Sequence, residues 1–421
     1  MSVGSEPKAT ISFRLAIVLL VAASVSLPMA WISLTKVLLF VGSLGYLIAA
    51  QFQSDRQSNL RGLATPPVLL LIVLVFALSL IWTEVDTEFA LKAFIKHAKL
   101  LGVILLVFLI RSQREARIAV LVFISLQVFV LICSWLLAAN VTLPWVFNSQ
   151  SDIGSRYVVF AESYLDQSIM LACTAAIVWH LRDDIQLPRW VVSLIAIAAL
   201  LNIFILLPGR TGYIVAFSLT ALAALWALSK RGKAIALFAT PLIVVFGLSF
   251  SSGQLHQRIF QVVHETQSYS VQTETQTSSG WRLNAWQKSI QAILEEPWSG
   301  HGVGSWAPAV KRLQGDNAAE VFGSGNASNP HQEYLLWGVE TGVGGVLLLL
   351  AFLLAVAWDT RQFPTGVRRA TLSVVVAIAV ACCFNSSLFD DLMGDFLYVS
   401  LGLMMALGVN QAPSRKLHRG S

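Results

Sequence analysis

Long apolar runs separated by short polar connections make up most of this chain. Many of the runs approach or exceed the roughly twenty residues that an α-helix needs to cross a bilayer. Prolines stand near several run ends, where a missing backbone N–H costs least. The pattern therefore predicts about twelve membrane-spanning helices. The predicted spans are residues 12–30, 34–50, 67–83, 95–110, 117–139, 166–181, 189–207, 211–229, 233–251, 333–358, 368–388 and 392–410.

One long polar segment, residues 251–331, interrupts this pattern between the ninth and tenth predicted spans. Ordering so long a connection costs conformational entropy, which indicates that the segment builds something. Within it we predict a helix over residues 281–294, which Ser278 or Ser279 can cap and which Pro297 ends. We expect this segment to carry part of a functional site.

Composition agrees with a membrane protein. The 421 residues are 56% hydrophobic and only 12% charged, and a soluble domain carries roughly twice that charged fraction. We therefore predict an all-α polytopic membrane protein. The whole chain, 1–421, is expected to form a single integral membrane domain, in which 251–331 is a subregion.

Lysine and arginine are concentrated in alternate connections, and this sets the predicted orientation. Under the positive-inside rule both termini lie in the cytoplasm and the long polar segment faces outward, into the periplasm of a bacterium with an inner membrane. The net charge of +6 follows from this distribution and predicts no nucleic-acid partner. The clusters are Arg56 and Arg61; Arg111, Arg114 and Arg117; Arg182 and Arg189; Lys230, Arg231 and Lys233; and Arg361, Arg368 and Arg369.

Two arginines are candidates for binding an anion. Arg210 lies in a short turn between two apolar runs, where an arginine is costly unless it meets an anion or reaches the headgroups. Arg282 lies at the predicted start of the loop helix, and a helix N-terminus beside an arginine favours a bound anion. A guanidinium grips phosphate oxygens through two parallel hydrogen bonds. The alternatives are a membrane anchor for Arg210 and a solvated surface side chain for Arg282.

His331 ends the polar segment, next to the tenth predicted span. A neutral histidine can accept a proton from a hydroxyl group, so His331 is a candidate general base, although a lone histidine is also consistent with a cap or core residue. His301 competes with it, but its glycine-rich surroundings predict a looser support. Arg156 precedes the sixth span and is a further candidate for binding substrate.

A lysine stripe is predicted on the outward side. Lys92, Lys96 and Lys99 recur at intervals of four and three, so they share one helix face. Such a stripe can attract anionic headgroups or help to bind a phosphorylated lipid substrate. We predict no metal site, because His331 and Glu333 have no HxxxH or HExxH partner.

Three short motifs contain or follow the candidate residues. Residues 209–212 read GRTG, and 329–335 read NPHQEYL. Arg282 is followed at 297–304 by PWSGHGVG. These motifs resemble those of a known superfamily, the bacterial O-antigen ligases with the related O-antigen polymerases and protein O-oligosaccharyltransferases. The number of predicted spans and the single large outer loop are also similar to the layout of this superfamily.

The resemblance implies a GT-C-type glycosyltransferase that needs no metal or other cofactor. It would transfer O-antigen polysaccharide from undecaprenyl pyrophosphate to an outer-core sugar of lipid A-core, with inversion at the anomeric carbon. Arg210 and Arg282 would bind the pyrophosphate and stabilise the charge that develops on it, and His331 would be the general base. Arg156, Arg210 and Arg282 would share in binding the substrate, and the spacing of the lysine stripe adds Lys92 and Lys96 as further substrate-binding candidates.

Other functions remain open at this point. A polymerase tends to have two substantial outer loops, and a protein O-oligosaccharyltransferase usually has a longer C-terminal region, so both fit less well than a ligase. A lipid-linked glycan transporter is the alternative from a different class. It would place ionisable residues near span centres, where this sequence has few.

Overall fold

The computed structural model describes residues 8–51, 59–146, 155–161, 163–228, 278–314 and 329–412. These residues form 14 α-helices and two short 3-10 helices, Ser155–Tyr157 and Thr360–Gln362, with no strand among them. The α-helices are α1 (Lys8–Ser24), α2 (Met29–Gln51), α3 (Thr65–Ser79), α4 (Thr87–Ala98), α5 (Leu101–Leu109), α6 (Gln113–Ala138), α7 (Tyr164–His180), α8 (Arg189–Leu206), α9 (Arg210–Ala227), α10 (Ser278–Glu295), α11 (Trp306–Gln314), α12 (Glu333–Asp359), α13 (Thr365–Ala381) and α14 (Asp391–Gln411).

The helices follow the apolar runs, as a polytopic membrane protein requires. Every predicted span coincides with helical structure except 233–251, which lies outside the described residues. The fourth predicted span, 95–110, is wrong as a single helix. In the structure α4 begins earlier and ends at Ala98, and α5 begins at Leu101. Within the described residues, 6 helices are long and apolar enough to cross a membrane: Met29–Ile48, Gln113–Ala138, Arg189–Leu206, Arg210–Ala227, Glu333–Gln362 and Asp391–Gln411.

The last helix, α14, lies at the centre of the bundle and is buried along nearly its whole length. It packs against α5, α6 and α13. Asp395 on this helix is 1% exposed, and its carboxylate forms an ion pair with Lys36 on α2 at 2.6 Å. The pairing is physically required, since removing one partner of a buried ion pair leaves an uncompensated charge.

The connections between helices fall into two groups at opposite ends of the bundle. In one group Trp82 Nε1 donates to the Ser299 carbonyl at 3.2 Å. In the other, Asp359 accepts a hydrogen bond from the Thr65 hydroxyl at 2.6 Å and so caps the start of α3. We call the first group the site end, which comprises the described parts of 80–86, 139–163, 207–209, 296–332 and 382–390.

Candidate functional site

The glycine-rich turn at residues 300–304 packs against a break in α12. The backbone N–H of His301 donates to the Val339 carbonyl at 2.8 Å, and that of Gly302 donates to the Glu340 carbonyl at 3.0 Å. These two backbone hydrogen bonds connect the turn directly to α12. The polar segment is therefore joined rigidly to the membrane-spanning helix that follows it.

Glycine is needed here because two backbones come into contact. Gly302 has φ +87°, and a Cβ at this position would lie 2.4 Å from Thr83 Cα. At the break in α12, Gly342 has φ +68°, and a Cβ there would lie 2.5 Å from the Pro297 carbonyl oxygen. Real side chains adopt neither the dihedral angle nor the distance without strain.

His301 is a buried structural residue. Its Nδ1 lies 2.8 Å from a carboxylate oxygen of Glu84, and its Nε2 lies 3.0 Å from the Ala292 carbonyl oxygen. A carbonyl only accepts, so Nε2 carries a hydrogen, and both ring nitrogens are occupied. The expectation that this position gives a loose support is wrong, and no nitrogen is left to receive a substrate proton.

A second buried histidine was not identified from the sequence. His97 Nε2 lies 2.7 Å from Glu340 Oε2, while the other oxygen of Glu340 accepts from the Gly304 N–H at 2.8 Å. The imidazole also stacks on Phe76 with ring centroids 3.9 Å apart. This pair joins α4, α12 and the glycine-rich turn, across a sequence separation that no local pattern reveals.

His331 lies at the end of the polar segment in a strained backbone conformation. Its φ is +49°, a region that costs a non-glycine residue roughly 1–2 kcal/mol. The Asn329 side chain accepts from the His331 N–H at 2.9 Å, and Trp286 Nε1 on α10 donates to the Pro330 carbonyl at 3.0 Å. The ring of Trp281 lies edge-on, 5.4 Å from the imidazole. Strain maintained by so many contacts points to a functional position.

The imidazole of His331 is connected to two polar side chains of the connection between α13 and α14. Its Nδ1 lies 2.8 Å from the Asn385 side-chain oxygen. The side-chain amide of Asn385 in turn donates to Asp390 Oδ2 at 2.8 Å. Asn385 is only 3% exposed. Neither residue is predicted by the sequence pattern around His331, because both follow it by more than fifty positions.

Glu333 holds that connection in place. One of its carboxylate oxygens accepts from the backbone N–H groups of Leu388 at 2.9 Å and Phe389 at 3.2 Å. Its own N–H donates to the Cys382 carbonyl at 2.9 Å. The first turn of α12 and residues 382–390 therefore form one rigid unit around His331.

Arg210 is the first residue of α9, directly after Gly209. This helix packs closely on α7, since a Cβ at Gly212 would lie 1.8 Å from the Ser168 hydroxyl oxygen. Both glycines of the GRTG motif face Ser168. The motif thus places a guanidinium at a helix N-terminus, where unpaired N–H groups and the helix dipole favour an anion.

Arg282 lies in the second turn of α10, which already includes Ser278. The expectation that Arg282 begins this helix is therefore wrong, because the helix already includes the four residues before it. Burial lowers the pKa of Arg282, and the nearby charge of Arg210 lowers it further, while the Tyr164 hydroxyl acts in the opposite direction. Two arginines from separate elements thus lie within electrostatic reach of each other.

The charge of Arg282 also affects His331. Burial lowers the pKa of His331 below its ordinary value of 6.5; its bond to Asn385 opposes this, and the positive charge of Arg282 adds to it. The imidazole is accordingly neutral near pH 7. Arg282 therefore lies within electrostatic reach of both Arg210 and His331, and all three side chains are half-buried although they are far apart in the sequence.

The three remaining candidates, Arg156, Lys92 and Lys96, lie on other elements. Arg156 is exposed, donates to the Asn140 side chain at 3.4 Å and borders a cavity of about 270 Å³. Lys92 is also exposed and pairs with Glu88 of its own helix at 2.6 Å. By contrast, Lys96 pairs with Asp391 at 3.1 Å. Of these three, Lys96 therefore reaches an element adjoining the unit around His331.

Within the described ranges, no cluster of three or more His, Cys, Asp or Glu side chains could hold a metal ion.

Comparison with solved structures gives a distant likeness. One match, described as "Structural coordination of polymerization and crosslinking by a peptidoglycan synthase complex", is 18% identical and covers 82% of this chain and 96% of that chain. Its TM-score of 0.43 is too low to carry a functional argument. No curated protein matches.

A family model described as O-antigen ligase matches residues 195–350. The matched segment contains Arg210, Arg282 and His331, and it includes the glycine-rich turn and the break in α12. It does not distinguish the types within the family. Over this segment the chain is similar to the O-antigen ligase family.

Proposed function

We propose that the protein is an O-antigen ligase that transfers O-antigen polysaccharide from undecaprenyl pyrophosphate to an outer-core sugar of lipid A-core. The observation that supports the proposal most is that Arg282 lies within electrostatic reach of both Arg210 and His331, with all three residues half-buried and within the matched segment. Two cations and a neutral base so arranged suit the transfer of a glycan away from an anionic leaving group.

The arginines would bind the pyrophosphate. Two like charges in a half-buried site repel each other, and a bound dianion turns that repulsion into attraction to both. Each guanidinium presents paired N–H donors that match phosphate oxygens, and the first N–H groups of α9 add to them. As the bond to the sugar breaks, negative charge grows on the pyrophosphate, where donors fixed in advance stabilise it most.

His331 would be the general base. The acceptor hydroxyl attacks the anomeric carbon, the carbon–oxygen bond to pyrophosphate breaks, and its electron pair leaves with the phosphate. The hydroxyl proton passes to the imidazole, which is neutral near pH 7 and therefore able to receive it. One displacement on the face opposite the leaving group inverts the anomeric carbon. This is the chemistry of a GT-C-type transferase.

The setting we propose is the bacterial inner membrane, with both termini in the cytoplasm and the site end facing the periplasm. The alternation of basic connections supports this orientation. Lipid-linked donor and acceptor would then enter from the outer leaflet. In that orientation Arg156, Lys92 and Lys96 would recruit the phosphorylated substrates electrostatically, ahead of the two arginines.

Complementation distinguishes the activities within the superfamily. The chain is expressed in a strain that lacks its ligase but makes lipid-linked O-antigen, and lipopolysaccharide is separated by size. We expect long-chain lipopolysaccharide to be restored. Restoration of polymer length in a polymerase-deficient strain, or modification of a protein acceptor, with no lipopolysaccharide product would overturn the assignment as a ligase.

A further inference from the structure

The side-chain amide of Asn385 lies between two groups of different hydrogen-bonding capacity. On one side is His331 Nδ1, at 2.8 Å from the amide oxygen, and on the other is Asp390 Oδ2, at 2.8 Å from the amide nitrogen. A carboxylate can only accept hydrogen bonds, whereas an imidazole nitrogen can donate or accept. The two neighbours are therefore not equivalent, and the carboxylate of Asp390 sets the orientation of the Asn385 side-chain amide.

The orientation of the Asn385 amide follows from which of its neighbours can donate a hydrogen bond. With Asp390 ionised, the NH₂ group of Asn385 must point toward the carboxylate, because the reverse orientation would place two acceptors together. The amide oxygen then faces His331, and that contact is favourable only if Nδ1 carries a hydrogen. A neutral imidazole with a hydrogen on Nδ1 has its lone pair on Nε2.

We propose that Asn385 is a positioning residue that fixes the reactive tautomer of His331, and that Asp390 acts through Asn385 to fix the amide orientation. The inference rests on the proposed function only in naming His331 as the base. Asn385 does not touch the substrate in this account. It ensures that the nitrogen facing the acceptor is the one able to take a proton.

The surroundings are built to maintain this chain of bonds. Asn385 is buried, so water does not compete for its amide. Glu333 fixes the backbone of residues 388–389, next to Asp390. Lys99, also buried, donates to the Asp390 backbone carbonyl. A neutral amide in place of a second carboxylate also leaves the imidazole uncharged and able to accept a proton.

Exchanging the amide at position 385 and the carboxylate at position 390 tests the inference. The full-length protein is purified in lipid nanodiscs, and kcat, KM for the lipid-linked donor and the pH profile are measured for wild type, Asn385→Leu, Asp390→Asn and the double variant Asn385→Asp/Asp390→Asn. In the double variant, the aspartate introduced at 385 accepts from both neighbours, so His331 again carries its hydrogen on Nδ1.

We expect Asn385→Leu to lower kcat at least about tenfold, because a wrong tautomer removes the base, with donor KM nearly unchanged because the arginines are intact. Asp390→Asn should cause a smaller loss. The double variant should recover most of kcat, with the acid limb of the pH profile moved to higher pH by the adjacent carboxylate. A double variant as poor as Asn385→Leu, or a wild-type kcat in Asn385→Leu, would overturn the inference.

A measurement without substrate separates this inference from the proposed function. Nitrogen NMR of the ¹⁵N-histidine-labelled protein, with His331→Asn used to assign the signal, reports which ring nitrogen is protonated. We expect hydrogen on Nδ1 in wild type and a shift toward Nε2 in Asn385→Leu. Hydrogen on Nε2 in the wild type refutes the positioning role whatever the reaction. The expected tautomer in a protein without ligase activity would refute the proposed function alone.

Discussion

At the scale of single residues, the central feature is a pair of arginines whose positive charges act on each other. Arg210 comes from a helix N-terminus and Arg282 from the second turn of another helix, and burial strengthens the repulsion between them. Their planar donor arrays distinguish them from lysines, which are point charges. That difference gives a specific test.

The first prediction concerns Arg210→Lys. The positive charge remains but the two parallel hydrogen bonds to phosphate are lost. We expect kcat/KM for the lipid-linked donor to fall at least about tenfold, equivalent to about 1.4 kcal/mol. Arg182→Lys is the matched control, because Arg182 lies at the opposite end and donates to the Trp179 carbonyl. Equal activity in the two variants would assign Arg210 to membrane anchoring.

The second prediction concerns pH. Burial raises the pKa of Asp390 to about 7, and burial lowers the pKa of His331 below 6.5. As the pH falls, Asp390 therefore gains its proton first, and it then no longer forces the Asn385 amide into one orientation. His331 gains its proton at lower pH, and the base is lost. The charged groups that act on Asp390 are Asp166 and Glu333, which raise its pKa, and Lys99 and Lys96, which lower it.

The profile of kcat/KM against pH should accordingly decline in two steps, a shallow one near 7 and a complete one below 6.5. Asp390→Asn should remove the shallow step and keep the deeper one. A wild-type profile that falls to zero in a single step above 6.5 would contradict the assignment of His331 as a buried neutral base.

Sequence patterns are enough to select candidate residues, but they do not predict which side chains surround those residues in the fold. Arg210 and His331 stand beside long apolar runs, which predicts a position at a membrane surface. Asn385 and Asp390 have no such signal, because a lone amide and a carboxylate in a short connection are ordinary. Arg282 was assigned to a helix N-terminus because Ser278 and Ser279 are good caps, but the helix includes Ser278.

At the scale of elements, the glycine-rich turn is the part that joins the polar segment to the membrane helices. It fits between the connection following α3 and the break in α12, at backbone-to-backbone distance. The buried pair His97 and Glu340 reinforces it. Sequence analysis identified the turn from its glycines, but the element that it packs against is set by tertiary contacts.

The third prediction is that Gly302→Ala displaces this turn. The alanine Cβ would lie 2.4 Å from Thr83 Cα, in a conformation with φ +87°, and such backbone strain costs about 1–3 kcal/mol. We expect a lower apparent midpoint of thermal unfolding in detergent at a fixed scan rate, together with lower activity. Gly344→Ala is the control, since no heavy atom lies within 4 Å of its Cβ. Equal midpoints for the two variants would contradict the close backbone contact.

At the scale of the whole molecule, the sequence predicts helices well because the length of an apolar run is a local property. It cannot predict which helices pack together, nor that α14 occupies the centre. The break between α4 and α5 was missed, because the amphipathic α4 merges with the apolar run that follows. Buried charges on the helices were also underestimated, and Asp395 and Glu340 are each paired there with a cation or histidine from another helix.

The fourth prediction concerns metal ions. Because two arginines would supply the positive charge for the pyrophosphate, we expect purified protein to transfer glycan at an unchanged rate after exhaustive chelation. The measurement is the initial rate before and after treatment, with Mg²⁺ or Mn²⁺ added back. A rate lost on chelation and restored by either ion would refute transfer without a metal.

The central claim is that the arginines bind the donor while His331 takes the proton, and His331→Asn separates these roles. Asparagine tolerates the φ of +49° at this position, so the backbone is preserved while the base is removed. Donor binding and single-turnover transfer are measured on the same purified protein. We predict donor affinity within about twofold of wild type and transfer slowed at least about a hundredfold. Transfer at close to the wild-type rate would contradict the account.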